Sequence, residues 1–215
     1  IIASAIILVI GSTYGAIAGY FGGKVDMIMM RIVDIIYTVP DILIIILLSV
    51  TLKYPLKDLA AKVPGFQWID TVGVGLISIF VVFSLLYWVG MSRIVRSQIL
   101  TLKEQDYVVA AKALGAGSGR IIRKHLLTNS IGTLIVTTTL QIPASIFTES
   151  FLSFLGLGVS APMPSLGSMA SQAIGGISSY PVRLLAPAVM ISLIILSFNL
   201  LGDGLRDAFD PKLKN

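Results

Sequence analysis

The chain has 215 residues, of which 55% are hydrophobic and only 13% are charged, and its mean hydropathy is +0.91. A soluble domain carries about a quarter charged residues, so we expect lipid to cover much of this surface. The net charge is +5, but the basic residues fall between apolar runs, which indicates membrane topology and not nucleic-acid binding. The absence of cysteine excludes disulfides, thiolate nucleophiles and Cys-based metal sites.

Long apolar stretches predict helices that cross about 30 Å of hydrocarbon. Four are free of charge: Ile1–Gly23, Thr71–Ser92, Thr128–Thr148 and Leu184–Gly202. A fifth, roughly Met27–Leu52, contains Arg31, Asp34 and Asp41. We predict a span there because Arg31 and Asp34 lie near one end, where they can pair or reach the interface. Pro40 is expected to kink it.

The predicted fold class is therefore all-α, a polytopic transmembrane helical bundle with about five spans. The first span carries glycine at every fourth position, at Gly11, Gly15, Gly19 and Gly23. This stripe indicates close packing against another helix, or simply the abundance of glycine in membrane helices. The apolar run begins at Ile1 without a basic region, which excludes a signal peptide and suggests that the beginning of the chain is missing.

The segment Ser150–Val182 is free of charge but rich in glycine, proline and serine. Irregular backbone is tolerated at membrane depth only where protein buries it or where it lines a cavity. We therefore predict a folded loop with a short re-entrant or interfacial helix, and not a span.

The basic residues predict the orientation of the chain in the membrane. With five spans, twelve of the sixteen Lys and Arg residues fall on one side. The other four are Lys53, Lys57, Lys62 and Arg183. By the positive-inside rule the side with twelve is cytoplasmic, and the C-terminus lies there as well.

One cytoplasmic segment, 106–130, is rich in small and basic residues between two apolar runs. Tyr107, Ala110, Ala111 and Leu114 share one helix face by their spacing. Gly115 is suited to end this helix in the left-handed conformation, and Ser118 to cap a second helix over Arg120–Leu127. The shallow face fits either a groove in another protein or the surface of anionic lipid, and the residues alone slightly favour lipid.

This segment resembles the cytoplasmic "EAA" loop of ABC importer permeases, which is Glu-Ala-Ala, three residues, Gly, nine residues, then Ile-x-Leu-Pro. Here the motif is Val109-Ala110-Ala111, then Gly115, then His125-x-Leu127-Thr128. Val109 replaces the motif's acid, so any ion pair made there is lost. Thr128 replaces its proline, so we expect the second helix to continue into the next span without a break.

Three further stretches extend the resemblance over nearly the whole chain: "AGYFGGKVDMIMMRIVDIIYTVP", "ESFLSFLGLGVSAPMPSLGSM" and "FNLLGDGLRDAFDPKLK". They are similar to the C-type permease subunits of the oligopeptide/dipeptide/nickel group. Members of that family have one additional N-terminal span, so the chain resembles a permease lacking its first span.

The resemblance implies a type I ABC importer permease domain over 1–215, with a cytoplasmic coupling loop at 93–127 and extracytoplasmic loops at 53–70 and 150–182. It implies a multi-pass protein of the bacterial or archaeal cell membrane that forms a path for peptides with a homologous second permease. Two cytosolic ABC ATPase subunits and an extracytoplasmic solute-binding protein would complete the importer. Nickel or another small solute as cargo, or a passive channel or scaffold subunit, remain alternatives.

Within that loop, the resemblance assigns contact with the ATPase to ten residues: Tyr107, Val109, Ala110, Ala111, Leu114, Gly115, Ala116, Gly119, His125 and Leu127. His125 is the only histidine, and a catalytic or metal-binding role would need partners, so we predict a structural polar contact.

Chemistry within the chain itself is not expected. We predict no catalytic residue, metal site or cofactor, because no set of nucleophile, base and ligands converges in the sequence. Intramembrane acids are functional candidates by default, and Asp41 and Glu149 are predicted to line a translocation path. For Arg31 and Asp34 we favour interfacial placement or mutual pairing.

Overall fold

The computed structural model describes residues 2–159 and 163–209, and within those ranges the regular structure is entirely helical. Twelve α-helices, a π-helix and a short 3₁₀ helix lie within these two ranges. The first six α-helices are α1 Ile2–Phe21, α2 Gly23–Thr38, α3 Asp41–Lys62, α4 Trp68–Val72, α5 Val74–Leu86 and α6 Trp88–Leu102. The rest are α7 Asp106–Ala113, α8 Ser118–Arg120, the π-helix Ile121–Leu126, α9 Leu127–Asn129, α10 Ile131–Phe154, α11 Leu166–Ala173, the 3₁₀ helix Ile174–Gly176 and α12 Val182–Phe209.

Four helices in the described ranges are long and apolar enough to cross a membrane: Ile2–Phe21, Val74–Leu102, Ile131–Phe154 and Val182–Phe209. The second of these comprises α5 and α6, which Tyr87 separates. A fifth crossing is counted if α2 and α3, which break at Val39–Pro40, form one span. The prediction of an all-α bundle with about five spans is confirmed, and the helix breaks where Pro40 was expected to kink it.

The helices differ from the predicted spans mainly in where they end. α3 continues to Lys62, so much of the predicted loop 53–70 is helical, and α6 continues ten residues beyond Ser92. α10 and α12 likewise extend to Phe154 and Phe209. The reason is that a charged residue ends an apolar run but does not interrupt backbone hydrogen bonding, which continues into the aqueous region.

The described residues fall into two compact units. The first unit contains residues 2–39, 86–139 and 201–209 and thus includes α1, α2, α6 and the predicted coupling loop. The second contains residues 40–85, 140–159 and 163–200, with α3, α4, most of α5 and α11.

In the first unit, α1 packs directly on α6 through the glycine stripe. A Cβ atom placed on Gly11 would lie 2.6 Å from Met91 Cβ, and one on Gly19 would lie 2.9 Å from the Arg96 carbonyl oxygen. A Cβ on Gly15 would collide with the Ser92 carbonyl oxygen. The packing interpretation of the stripe is therefore confirmed for these three glycines. Gly23 does not belong to the stripe, since it opens α2 with a φ of +52° and has no neighbour within 4 Å of an added Cβ.

Two ion pairs join α2 to α6. Arg96 donates from Nε and Nη2 to the two carboxylate oxygens of Asp26 at 2.5 Å each, the fork geometry that suits guanidinium. Arg93 Nη2 lies 2.7 Å from Asp34 Oδ1, and its guanidinium lies 4.2 Å from the centre of the Tyr37 ring. Of the two alternatives given for Arg31 and Asp34, mutual pairing is wrong for Asp34, because Arg93 reaches this carboxylate from α6. Interfacial placement stays a prediction.

In the second unit, the segment after α10 folds back on its own helix. Ser153 Oγ donates to Glu149 Oε1 at 2.7 Å and accepts the backbone N–H of Val159 at 2.9 Å. A Cβ on Gly75 would collide with the Gly158 carbonyl oxygen, and one on Gly167 with that of Ser150. Glycine is thus required where α5 closely approaches this loop and where α11 closely approaches α10.

The predicted loop with a short helix over 150–182 is confirmed in outline, but it begins after Phe154 because α10 continues to that residue. The short helix is α11, and a capping box of Ser165 and Ser168 starts it. Residues Ser160–Pro162 of this loop lie outside the described ranges.

Candidate functional site

The predicted coupling loop leaves α6 at Leu102 and forms α7 over Asp106–Ala113. One side of α7 is fixed to the bundle by Val108, which is fully buried. Val108 belongs to a cluster of buried side chains that also includes Ile99 of α6 and Ile121 and Leu126 of the π-helix. The loop is therefore an integral part of the first unit, packed on α6 and on the helical segment that follows.

The opposite side of α7 is exposed. Leu114, directly after the helix, is 89% exposed, and Tyr107 is 39% exposed. Ala110 lies between them and is also exposed, whereas Ala111 is half-buried. The predicted face is thus confirmed for Tyr107, Ala110 and Leu114, while Ala111 is turned partly toward the bundle. We call these three residues, together with the exposed Val109, the docking face, after the ATPase contact predicted for them.

The turn after α7 explains the glycine of the motif. The N–H of Gly115 donates to the Lys112 carbonyl oxygen at 2.9 Å, and the N–H of Ala116 donates to that of Ala111 at 3.0 Å. This is the Schellman arrangement, and it places Gly115 at a φ of +82°. The predicted left-handed conformation of Gly115 is confirmed, and Ala116 packs partly buried against the cluster around Val108.

The second helix of the loop differs from its prediction at both ends. Gly117, not Ser118, occupies the N-cap, and no side chain caps this end. Ser130 interrupts the passage into α10 as a single turn residue, so the helix does not continue unbroken past Thr128. Its N–H donates to the carbonyl oxygens of both Leu126 and Leu127 at 3.1 Å, which satisfies the backbone at this junction.

The middle of the second helix is a π-helix, Ile121–Leu126, in which the Leu127 N–H donates to the Ile122 carbonyl oxygen five residues back. Thr128 Oγ1 donates to the Arg123 carbonyl oxygen at 3.1 Å, again five residues back. Isolated π-helical turns are rare and occur often at functional sites. Composition and spacing gave no sign of this one, because no residue type selects it.

The remaining motif residues divide between structure and surface. Leu127 packs partly buried against the cluster around Val108, and Gly119 is exposed with open space around it. His125 is half-buried, and its carbonyl oxygen accepts a hydrogen bond from Asn129 Nδ2 at 2.5 Å. The polar contact at this position is therefore made by the backbone of His125.

Two contacts brace the loop against the end of α1. Lys103 Nζ donates to the Gly19 carbonyl oxygen at 3.0 Å, which satisfies an acceptor in the last turn of α1. Lys112 of α7 lies over the Tyr20 ring, with Nζ 5.4 Å from its centre. These contacts, like the Asp26–Arg96 pair, were not predicted, because their partners are some 70 or more residues apart.

Asp41 and Glu149, the two acids predicted to line a translocation path, belong to the second unit, whereas the coupling loop belongs to the first. Asp41 is the exposed first residue of α3, and its Oδ1 accepts the Ile42 N–H at 2.9 Å. Glu149 is half-buried and accepts from Ser153 and, at 3.3 Å, from Ser150. The two carboxylates therefore have separate hydrogen-bond partners. In the two described ranges, no group of three or more His, Asp or Glu side chains could hold a metal ion.

The candidate spans are those of a polytopic membrane protein, and comparison with known proteins shows that its class is that of transport permeases. The chain belongs to the family of binding-protein-dependent transport system inner membrane components, whose model matches residues 11–215.

Several relatives in this family are named as permease proteins of peptide transport systems. The chain is 45% identical over 207 residues to the oligopeptide transport system permease protein OppC of Bacillus subtilis, covering 96% of the chain and 61% of the relative. It is 47% identical over 215 residues to the dipeptide transport system permease protein DppC of the same organism, covering 100% of the chain and 61% of the relative. A glutathione transport system permease protein, GsiD of Pectobacterium atrosepticum, is 36% identical over 208 residues, covering 97% and 62%. The chain thus spans about 61% of the length of these permeases.

Proposed function

We propose that this chain is a permease subunit of an ATP-driven ABC importer and that it forms, with a homologous second permease, the translocation path for peptides. The observation that carries the proposal is the 45–47% identity to oligopeptide and dipeptide permeases over nearly the whole chain. The subunit performs no bond chemistry in this proposal, and two cytosolic ATPase subunits supply the energy.

The coupling loop is the proposed contact with an ATPase subunit. The docking face supports this role, because Leu114 offers an apolar side chain to solvent at the tip of a shallow, alanine-rich surface. Val108 supports it from the other side, since its burial against Ile99 ties α7 to α6. Because α7 is packed on α6, a movement of the docking face also moves α6, and no flexible linker lies between them. Alternating access follows if the ATPases move the loops of the two permeases together.

In this proposal the coupling loop and the C-terminus face the cytoplasm, as the distribution of basic residues predicts. The segments 53–70 and 150–182 then lie outside and contribute to docking of a solute-binding protein. The second of these supports such a role by its compact loop, which Ser153 and α11 hold in a defined shape.

Asp41 and Glu149 are the proposed path residues, at which charge affects the choice of cargo. Asp41 is exposed, and Glu149 retains partial exposure beside its serine partners. A carboxylate in either position can attract the amino group of a peptide.

The proposal is tested by reconstituting the complete permease with its second permease, the ATPases and the binding protein in proteoliposomes. We expect uptake of labelled dipeptides or longer peptides that requires both ATP and the binding protein. A panel that includes glutathione and nickel separates the cargo classes, and liposomes with a non-hydrolysable ATP analogue serve as the control. Solute flux without ATP would refute the importer and indicate a channel, and uptake of nickel alone would refute the peptide cargo.

A further inference from the structure

A basic cleft lies on the second helix of the coupling loop, C-terminal to the docking face, and of its lining residues only Gly119 is among the predicted ATPase contacts. It has a volume of about 560 Å³ and is lined by Gly119, Arg120, Arg123, Lys124 and Thr128. Arg120, Lys124 and Thr128 recur at intervals of four along this helical segment, which places them on one side. Thr128 Oγ1 also donates to the carbonyl oxygen of Arg123, the third cation. The cleft thus concentrates three positive charges around one small depression.

The three cations have no acidic partner within the described parts of the chain. The ion pairs found there are Lys62–Asp58, Arg93–Asp34 and Arg96–Asp26, and none of them involves the cleft. All three cleft cations are exposed, so their donors are available to a ligand. A guanidinium presents its donors in a fork that matches phosphate oxygens, and two of the three cations are arginines. The chemistry of the cleft therefore suits a phosphate group.

The surroundings of the cleft indicate where that phosphate comes from. Thr128 is separated by less than one helical turn from Ile131, the first residue of the membrane helix α10. Ile131 and Ile135 are exposed, and only 6% of the apolar window of α10 is buried. A molecule with a phosphate in the cleft can therefore lay an acyl chain along this apolar helix surface, which a soluble phosphate cannot use.

We propose that this cleft is a binding site for the headgroup phosphate of an anionic glycerophospholipid, whose acyl chains pack against the start of α10. The site goes beyond the transport function, since it concerns the membrane around the subunit and not its cargo or its ATPase. It places a lipid at the junction between the coupling loop and a span. Bound lipid stabilises the π-helical turn by neutralising the repulsion among Arg120, Arg123 and Lys124.

The test uses the complete transporter in detergent, titrated with phosphatidylglycerol and followed by native mass spectrometry, which counts bound lipids. The test variant replaces three cations together, Arg120→Gln, Arg123→Gln and Lys124→Gln. The matched control removes three exposed cations of the same unit that lie outside the cleft, by Lys24→Gln, Arg31→Gln and Arg206→Gln. We expect affinity for phosphatidylglycerol to fall about fivefold for each cleft cation removed, and the control to bind like the parent.

Two further arms keep the result interpretable. Arg120→Lys with Arg123→Lys retains the charge and should retain most of the binding, which distinguishes loss of the site from loss of the fold. Glycerol phosphate and inorganic phosphate should compete poorly, because they lack the acyl chain. Equal lipid binding by the test and control variants would overturn the proposal, and so would competition by free phosphate as strong as by the lipid. Cross-linking of an Arg123→Cys variant to an ATPase subunit would also overturn it, by showing that protein covers the cleft.

Discussion

Leu114 offers the sharpest test of the proposed docking face, because the substitution Leu114→Ala changes almost nothing in the chain by itself. The side chain is 89% exposed, so its truncation should alter the free energy of unfolding by no more than about 0.5 kcal/mol. In a complex that buries it, the truncation removes three carbon atoms at about 0.8 kcal/mol each, or about 2.4 kcal/mol. ATPase binding should therefore weaken about fiftyfold.

The assay is a titration of the purified ATPase onto the permease pair in nanodiscs, with thermal unfolding of the permease measured in parallel. Leu185→Ala is the matched control, because Leu185 is also exposed but lies near the start of the last span, on the side predicted to face outside. We expect the control to bind ATPase normally. An affinity within twofold of the parent for Leu114→Ala would refute the reasoning, since a buried leucine cannot be truncated at so small a cost.

Three further predictions concern the turn, the path and the orientation. Gly115→Ala and Gly115→Leu should both add about 1 kcal/mol of left-handed strain, since neither side chain is branched at Cβ. No neighbour lies within 4 Å of an added Cβ, so a larger defect of Gly115→Leu in stimulated ATP hydrolysis measures crowding by the partner. Equal hydrolysis in the two variants would argue against a partner there. Glu149→Gln keeps an acceptor for the hydroxyl of Ser153, so the complex should still assemble while peptide uptake changes. If uptake is unchanged both in this variant and in Asp41→Asn, neither acid lines the path. In the chain without native cysteine, Lys57→Cys should react with an impermeant maleimide from outside and Lys112→Cys only from inside, and the reverse pattern would invert the proposed topology.

The sequence was sufficient to predict the structure at positions where the local backbone geometry requires one particular residue type. Gly115 is an example, because only glycine adopts the left-handed conformation without strain and the apolar spacing before it indicates a helix end. The stripe of Gly11, Gly15 and Gly19 is another, since removing side chains at intervals of four leaves a flat surface on one face. Pro40 similarly marks a helix break, because it lacks an N–H and clashes with the preceding turn.

The sequence was insufficient where the outcome depends on a competition between distant groups. Asp34 has Arg31 about one turn away, yet it pairs with Arg93 of α6, a contact between helices that local spacing does not reveal. Ser118 is a favourable capping residue, but Gly117 starts the helix one position earlier, so the serine falls within the helix. The ends of α3 and α12 were also predicted too early. An apolar run shows which residues lie in the membrane, whereas backbone hydrogen bonding, which continues into water, determines where the helix ends.

The contact of α1 with α6 has a mechanical consequence. Side chains that interdigitate can change rotamer and let two helices slide, but at Gly15 the neighbour is the backbone of Ser92, which has no such freedom. The two helices are therefore expected to move together as one rigid unit. α1 has 20 residues and is about 30 Å long, comparable to the hydrocarbon thickness. A tilt imposed at one end of α6 is consequently shared by α1 along the stretch Gly11–Gly19, where the two helices touch most closely.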